Sequence, residues 1–430
     1  MLNNNLLSVS LNRDGLVTRR DLLRLSGLGF AGLSAASLLG RIGLSAEQLK
    51  REGRACIMVF LNGAPSQLET FDPKPGHENG GQTKAIQTAI PGVQFAEFWP
   101  KMATLMRDVS VIRTLHGKEA AHERGVYHLK TGRRLTGVKN FPHFGALVAD
   151  RLGDPDSDIP NFVSIGRTLS SGFLGVRVAP FTVDKAGQLP ANVTSGLQQK
   201  RLDYRLELLQ QQDQDFAAAG AAGIAAEHQE LYSRAAHLMT AQKLKAFTLN
   251  GESEATKAAY GSHAFGQGCL VARRLVESGV PFVEVQKGGW DMHQELWTRM
   301  PVAAGEVDQG LSQLVTDLKQ RGLLEKTLVL CLGEFGRTPK INQSAPSVGR
   351  DHWARNFNLL IAGGGIKGGV CVGETNADGV EAKERPVEVD DLFATMCTTM
   401  GIDPDEELIS NEGRPLRIVD KGTAVSELLA

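Results

Sequence analysis

The chain has 430 residues, room for a large hydrophobic core, and 42% of them are hydrophobic. Its 47 Lys and Arg against 48 Asp and Glu leave a net charge of -1, with no basic stripe interleaved with aromatics, which argues against nucleic acid as a partner. Five cysteines (Cys56, Cys269, Cys331, Cys371 and Cys397) are scattered without a CxxC pair and read as buried thiols, not as a disulfide or zinc framework.

Near the N-terminus, "TRRDLLRLSGLGFAGLSAASLLG" sets Arg19 and Arg20 ahead of a weakly apolar stretch from Leu25 to Leu39. That order is similar to a twin-arginine export signal, which implies the twin-arginine translocase as a partner and a periplasmic or extracellular destination. An amphipathic anchor helix is the alternative, and export is preferred to it because the apolar run is too short and too Gly-rich for a comfortable membrane span. Residues 1–50 are set apart from a folded domain expected over 51–430.

The run "ACIMVFL" (55–61) ends in "NGAPS", as a strand buried on both faces meets a turn. Similar runs recur at 109–115, 161–165, 280–285, 327–332 and 357–365. Helical patterns lie between them. Val302, Val307, Leu311, Leu314, Val315 and Leu318 fall three to four apart, and residues 390–400 begin at a capping Asp390 and stop before Gly401. Strands alternating with such helices predict an α/β fold of three layers, a mostly parallel sheet between helices. Residues 196–250 are rich in Gln and Ala with helical spacing and no strand, and read as a helical insertion.

In a parallel sheet, sites collect at the carboxyl ends of strands. There the sequence places Asn62, Glu69 and Asp72 after the first run and His116, His122, Glu123 and His128 after the second. Asp291 and His293 follow 280–285, Glu334 and Arg337 follow 327–332, and Arg350, Asp351 and His352 precede 357–362. Imidazoles and carboxylates converging from separate loops suit a divalent cation: zinc, manganese, iron(II) or calcium. Each residue has an ordinary structural alternative. A lone His is more often a surface or core residue, which is the reading kept for His77, His228, His237 and His263. Glu334 can cap a helix or pair with Arg337, Asp72 before Pro73 suits a turn, and Arg337 and Arg350 either clamp an oxyanion or form ion pairs.

Taken in order behind the arginine pair, "LNGAPSQLETFDPKPG", "GGWDMHQ", "LGEFGRTPKIN", "GRDHW" and "LLIAGGGIKGGVCVGETNADG" resemble the bacterial DUF1501 family of exported proteins, related to the alkaline phosphatase and sulfatase superfamily. The resemblance covers about residues 51–420. It implies an alkaline phosphatase-like sheet with metal ligands at strand ends and a nucleophile opening a helix after an early strand. Asp291 and His293 resemble that superfamily's first ligand group, spaced D-x-H where the phosphatases have D-x-x-x-H. Glu334 stands where an Asp-His pair is usual, with Phe335 in place of the imidazole, and His352, beside Asp351, resembles the late His ligand. Asn62 lies where the first strand usually delivers an Asp, with Glu69 or Asp72 as substitutes.

The stretch "AHERGVYHLKTGR" looks like the nucleophile helix, yet Ala121, His122 and Glu123 open it, and "CLVAR" (269–273) departs from the sulfatase maturation pattern. Three possibilities stay open: direct attack by a metal-bound water, substitution by His122 or Thr114, or a binding protein on an enzyme scaffold. The activity implied is metal-dependent hydrolysis of phosphate or sulfate esters of a small molecule or glycan. Asp291, His293, Glu334, Asp351, His352 and Asn62 are the candidate ligands, and His122, Thr114, Arg337 and Arg350 the candidate catalytic groups.

Overall fold

The fold is that of a computed structural model, which describes residues 52–136, 140–191, 193, 198–343 and 347–430. The proposed export signal lies outside the described residues. The central sheet has nine strands: β1 (Ala55–Leu61), β2 (Val109–His116), β3 (Phe162–Ile165), β4 (Phe181–Val183), β5 (Phe282–Lys287), β6 (Thr327–Leu332), β7 (Phe357–Ala362), β8 (Cys371–Val372) and β9 (Val387–Glu388). Their order is β8-β2-β7-β6-β1-β5-β3-β4, with β9 also paired to β2. All pairings are parallel except those of β7, which runs antiparallel to both β2 and β6.

The continuous apolar runs are explained by burial on both faces. In β1, Ile57, Val59 and Leu61 enter one core while Cys56, Met58 and Phe60 enter the other. The main helices are α1 (His122–Thr131), α2 (Phe144–Leu152), α3 (Gln199–Phe216), α4 (Ala222–Thr240), α5 (Ala264–Glu277), α6 (Leu296–Gln320) and α7 (Val389–Thr399). Leu270 and Leu275 of α5 and Leu311 and Leu314 of α6 cover the first core. Leu129 of α1, Phe144 and Leu147 of α2, and Leu392 and Phe393 of α7 cover the second. The result is the expected three layers, in which each fully buried Leu, Val, Ile or Phe contributes about 1.5–3 kcal/mol.

Local details differ from the sequence pattern. Helix α6 begins at Leu296, and Val302 is 67% exposed, so Met300 and Ala304 occupy the buried face instead. Helix α7 is capped by Glu388 in a reciprocal capping box with Asp391, not by Asp390. All five cysteines are free, four of them buried, as the spacing implied.

One buried polar cluster crosses the second core. Glu284, in the middle of β5 and fully buried, accepts hydrogen bonds from Lys130 Nζ of α1 and from Thr168 Oγ1, and lies 3.3 Å from His143 Nε2. The Lys130 ammonium also sits 4.2 Å from the Phe60 ring centroid. The pair therefore ties the C-terminal end of α1 to the sheet.

Candidate metal centre

Strands β1, β2, β5 and β6 are mutually parallel, so the turns after them open on one edge of the sheet. The reversal of β7 brings its first residues, and the short ribbon His352–Trp353 just before them, to that same edge. This is the step by which a residue preceding a strand joins residues that follow strands.

The stretch Trp290–His293 alternates inward and outward. Trp290 and Met292 are buried in the first core, with Trp290 stacked 6.3 Å from Trp99, which leaves Asp291 and His293 facing out together. The D-x-H spacing is thus a loop pinned by its two apolar members. Beneath it, Gly63 adopts φ +108, and a Cβ there would fall 2.4 Å from the Asp291 amide nitrogen. Gly63→Ala combines a strained backbone of about 1–3 kcal/mol with that clash. It is expected to lower the melting temperature and displace Asp291, seen as reduced metal content in purified protein; unchanged metal content would show the loop adapts.

Three imidazoles surround one oxygen of Asp291. His122 Nε2 lies 3.4 Å from Asp291 Oδ1, His293 Nε2 3.1 Å and His352 Nε2 3.5 Å. The Nε2 atoms of His293 and His352 are 3.1 Å apart, and His122, Asp291 and His352 offer ligand atoms all within 4.8 Å of one another. Every Nδ1 is held from behind. His122 Nδ1–H donates to Glu334 Oε1 (2.6 Å), His293 Nδ1–H to Asp351 Oδ1 (2.9 Å) and His352 Nδ1–H to the Ala120 carbonyl (2.8 Å). With the proton on Nδ1, each Nε2 presents a bare lone pair, and three of these with a carboxylate repel one another unless a proton or a metal ion sits among them. A tetrahedral zinc with bonds of about 2.0–2.1 Å would separate its ligands by about 3.3 Å, the scale seen here. His122 Nε2 and Glu334 Oε2 are buried without a hydrogen-bond partner. The donor set therefore fits a divalent ion.

The surroundings shape the charges. Partial burial works against the Asp291 carboxylate, but the Arg337 hydrogen bond and charge, with His122 and His293, bring its pKa down to about 2. The hydrogen bond to Glu334 raises His122. Burial lowers His352, and the charges of Arg337, His122 and His293 push it the same way. Phe335 packs against both His122 and His352, with ring centroids 5.1 and 4.8 Å away.

Several expected roles shift. Glu334, anticipated as a ligand, directs one oxygen to His122 Nδ1 and to the Gly63 N–H (2.9 Å), and Asp351 buttresses His293 while accepting from Asn342. Both stand behind the imidazoles. His122, anticipated as an acid, base or nucleophile, stands within the convergent set. Asn62 turns away to Gln286 Oε1 (2.6 Å). Glu69 and Asp72, its suggested substitutes, are buried and paired elsewhere, Glu69 with Arg350 and Asp72 with Lys74, Arg113 and Thr375. Thr114 is fully buried and donates to the Arg385 carbonyl, so its hydroxyl does not face the cluster.

The two arginines are not free clamps. Arg350 is fully buried, grips Glu69 through Nε (2.9 Å) and Nη2 (2.7 Å), and donates to the carbonyls of Asn79, Thr338 and Pro339. Arg337 donates to the carbonyls of Gly63, Ala64 and Arg350 and to Asp291. It braces the site's loops from below. The Ala120 carbonyl and the Glu334–His122 bond had no signature in the sequence, because both join segments far apart in the chain. Of the histidines given ordinary roles, His77 and His263 cap helices and His228 pairs with Asp213.

Residues 53–429 match the family described as "Protein of unknown function (DUF1501)". No curated protein matches the chain. Among solved structures the chain is similar to Ps i-CgsB in complex with k-i-k-neocarrahexaose (13% identity, 81% of this chain and 72% of that chain covered, TM-score 0.40). It is also similar to the PsFucS1 sulfatase from Pseudoalteromonas sp. (13%, 83% and 72%, TM-score 0.38) and to the phosphonate monoester hydrolase of Agrobacterium radiobacter (12%, 87% and 77%, TM-score 0.37). At such low identity the function has to be read from the chain's own side chains.

Proposed function

The chain belongs to the DUF1501 family, and from its side chains we propose that it is a metal-dependent hydrolase of phosphate or sulfate esters, working outside the cytoplasm. The observation that carries the reading is the convergence of three back-anchored imidazoles on one Asp291 oxygen, at 3.1–3.5 Å. His122, His293, His352 and Asp291 are the residues that would hold the ion, which when bound supplies a Lewis acid and a water of lowered pKa. Glu334, Asp351 and the Ala120 carbonyl fix which nitrogen each imidazole presents. Arg337 keeps Asp291 ionised. With Thr114 turned into the protein and His122 among the ligands, direct attack by water is favoured over a covalent intermediate on either residue.

A second reading, a binding protein on the same scaffold, is favoured by one observation. Arg350 spends all five of its N–H donors and Arg337 four of its five on the protein itself, and both are buried, leaving neither to neutralise the non-bridging oxygens of an ester. The deciding experiment is metal analysis of purified protein, followed by a panel of phosphate and sulfate esters with and without chelator. Turnover lost on stripping and regained on adding zinc, manganese or calcium supports the hydrolase. Absence of turnover above the stripped control, with or without bound metal, supports the binding protein, and protein that takes up none of these ions overturns the hydrolase.

Export by the twin-arginine route belongs to the same reading, and among the described residues no helix is long and apolar enough to cross a membrane. Replacing Arg19 and Arg20 together by Lys is expected to hold the protein in the cytoplasm, because the translocase reads that pair. Cell fractionation checks this, and normal export of the double variant would refute it.

A further inference from the structure

Six of the ten exposed large hydrophobic side chains among the described residues lie on the hairpin of α3 and α4: Tyr204, Leu208, Phe216, Ile224, Leu231 and Tyr232. Such a concentration on a soluble surface calls for a covering partner. Helix α3 turns Leu202, Leu206 and Leu209 toward Tyr232, Ala235 and Met239 of α4, and Asp213 lies 2.7 Å from His228. Helix α4 in turn is tied to the body by Leu238 in the first core and by Arg234, which donates to the Arg177 carbonyl. Its companion α3 is the outer helix of the hairpin.

The opposite side of α3 carries Arg201, Tyr204, Leu208, Gln211 and Asp215, all exposed and spaced three and four apart, so they form one stripe. Tyr204 is 61% and Leu208 43% exposed. The stripe has a basic beginning at Arg201, next to Lys200, an apolar middle and an acidic end at Asp215.

We infer that this stripe pairs with the same stripe of a second copy of the chain, the two α3 helices lying antiparallel about a two-fold axis near Leu208. That arrangement sets Leu208 on Leu208 at the axis, lays Tyr204 of each copy over Gln211 of the other and brings Arg201 of each copy to Asp215 of the other, so the charge pair forms twice. It also opposes the two helix dipoles favourably. A parallel alignment would set Arg201 on Arg201, and an acidic or basic foreign partner would meet one end of the stripe and be repelled by the other. A second copy satisfies both ends at once through an isologous contact. Two crossed helices about 27 Å long bury on the order of 1,000 Å² at most, which places the dimer in the weak class.

Sedimentation velocity on the full chain, from about 1 to about 200 µM, reads the association directly. The wild type is expected to pass from monomer to dimer across that range. Arg201→Asp and Asp215→Arg should each remain monomeric, because each places like charges opposite one another, whereas the double variant restores opposite charges and the dimer. Both positions are exposed, and circular dichroism melting confirms that the variants fold. A wild type that stays monomeric throughout, single variants that still dimerise, or a double variant that does not recover would each overturn the inference. None of these readouts depends on ester hydrolysis.

Discussion

Asp291→Asn is expected to leave the purified protein without bound metal, while Glu334→Gln and Asp351→Asn retain it with affinity lower by about 10–100-fold. The difference follows from position. Asp291 Oδ1 is the atom on which three Nε2 atoms converge, so loss of its charge removes the only carboxylate in the convergent set and leaves Arg337 unpaired beside it. Glu334 and Asp351 touch the imidazoles only at Nδ1, and changing them loosens the tautomer and aim of His122 and His293 without deleting a donor. Elemental analysis and chelator competition separate the two classes. Stoichiometric metal in Asp291→Asn would place the ion elsewhere. Equal loss from all three variants would mean that Glu334 and Asp351 bind the ion themselves.

Lys130→Met is expected to destabilise the protein by about 3–5 kcal/mol, a fall of about 4–6 °C in melting temperature, because it removes the charge partner of the Glu284 carboxylate in the core. Lys130 and Glu284 are 1% and 0% exposed, so water cannot substitute for the lost partner. Replacing both residues at once, as Lys130→Met with Glu284→Leu, removes that carboxylate as well and should recover most of the loss. If the double variant is no more stable than Lys130→Met, the pair contributes by some route other than mutual neutralisation.

The same cluster predicts acid sensitivity. Burial alone would raise Glu284, but Lys130 and His143 hold its pKa at about 2, below its ordinary value of 4.5. A depressed carboxylate contributes stability that is fully present above about 4.5 and is lost as pH falls toward about 2. Burial also lowers His143 below its ordinary 6.5, so acidification costs stability there too, beginning below that pH. Melting curves taken from pH 7 to pH 3 should show a steeper fall in the wild type than in the Lys130→Met, Glu284→Leu variant. Parallel curves would remove this cluster from the account. Since α1 carries Lys130 near its end and His122 at its start, the cluster and the candidate metal centre hold the same helix at opposite ends.

How far the sequence could be read varied with the kind of interaction. A strand buried on both faces reads as a near-continuous apolar run, and runs such as Ala55–Leu61 and Thr327–Leu332 announce that without reference to anything else in the chain. Glu284 inside "VPFVEV" passed in the sequence as part of an apolar run, and its partner Lys130 emerged only in the fold. Asp291 and His293 stood out for their place after a strand, and the burial of Trp290 and Met292 explains why they face out together.

What the sequence by itself determined was the layered α/β class, the strand runs and the pool of imidazoles and carboxylates at strand ends. Tertiary structure alone decided which members of that pool meet. The antiparallel turn of β7 carried His352 to the edge occupied by Asp291, and the pairing of Glu334 with His122 set Glu334 behind that imidazole and His122 Nε2 beside Asp291. Arg350 and Thr114 were taken inside by acceptors far away in sequence, Glu69 and the Arg385 carbonyl. Local patterns report what a residue needs, burial or a charge partner. Which distant residue meets that need is set by the order of strands across the sheet, and no short stretch of chain contains it.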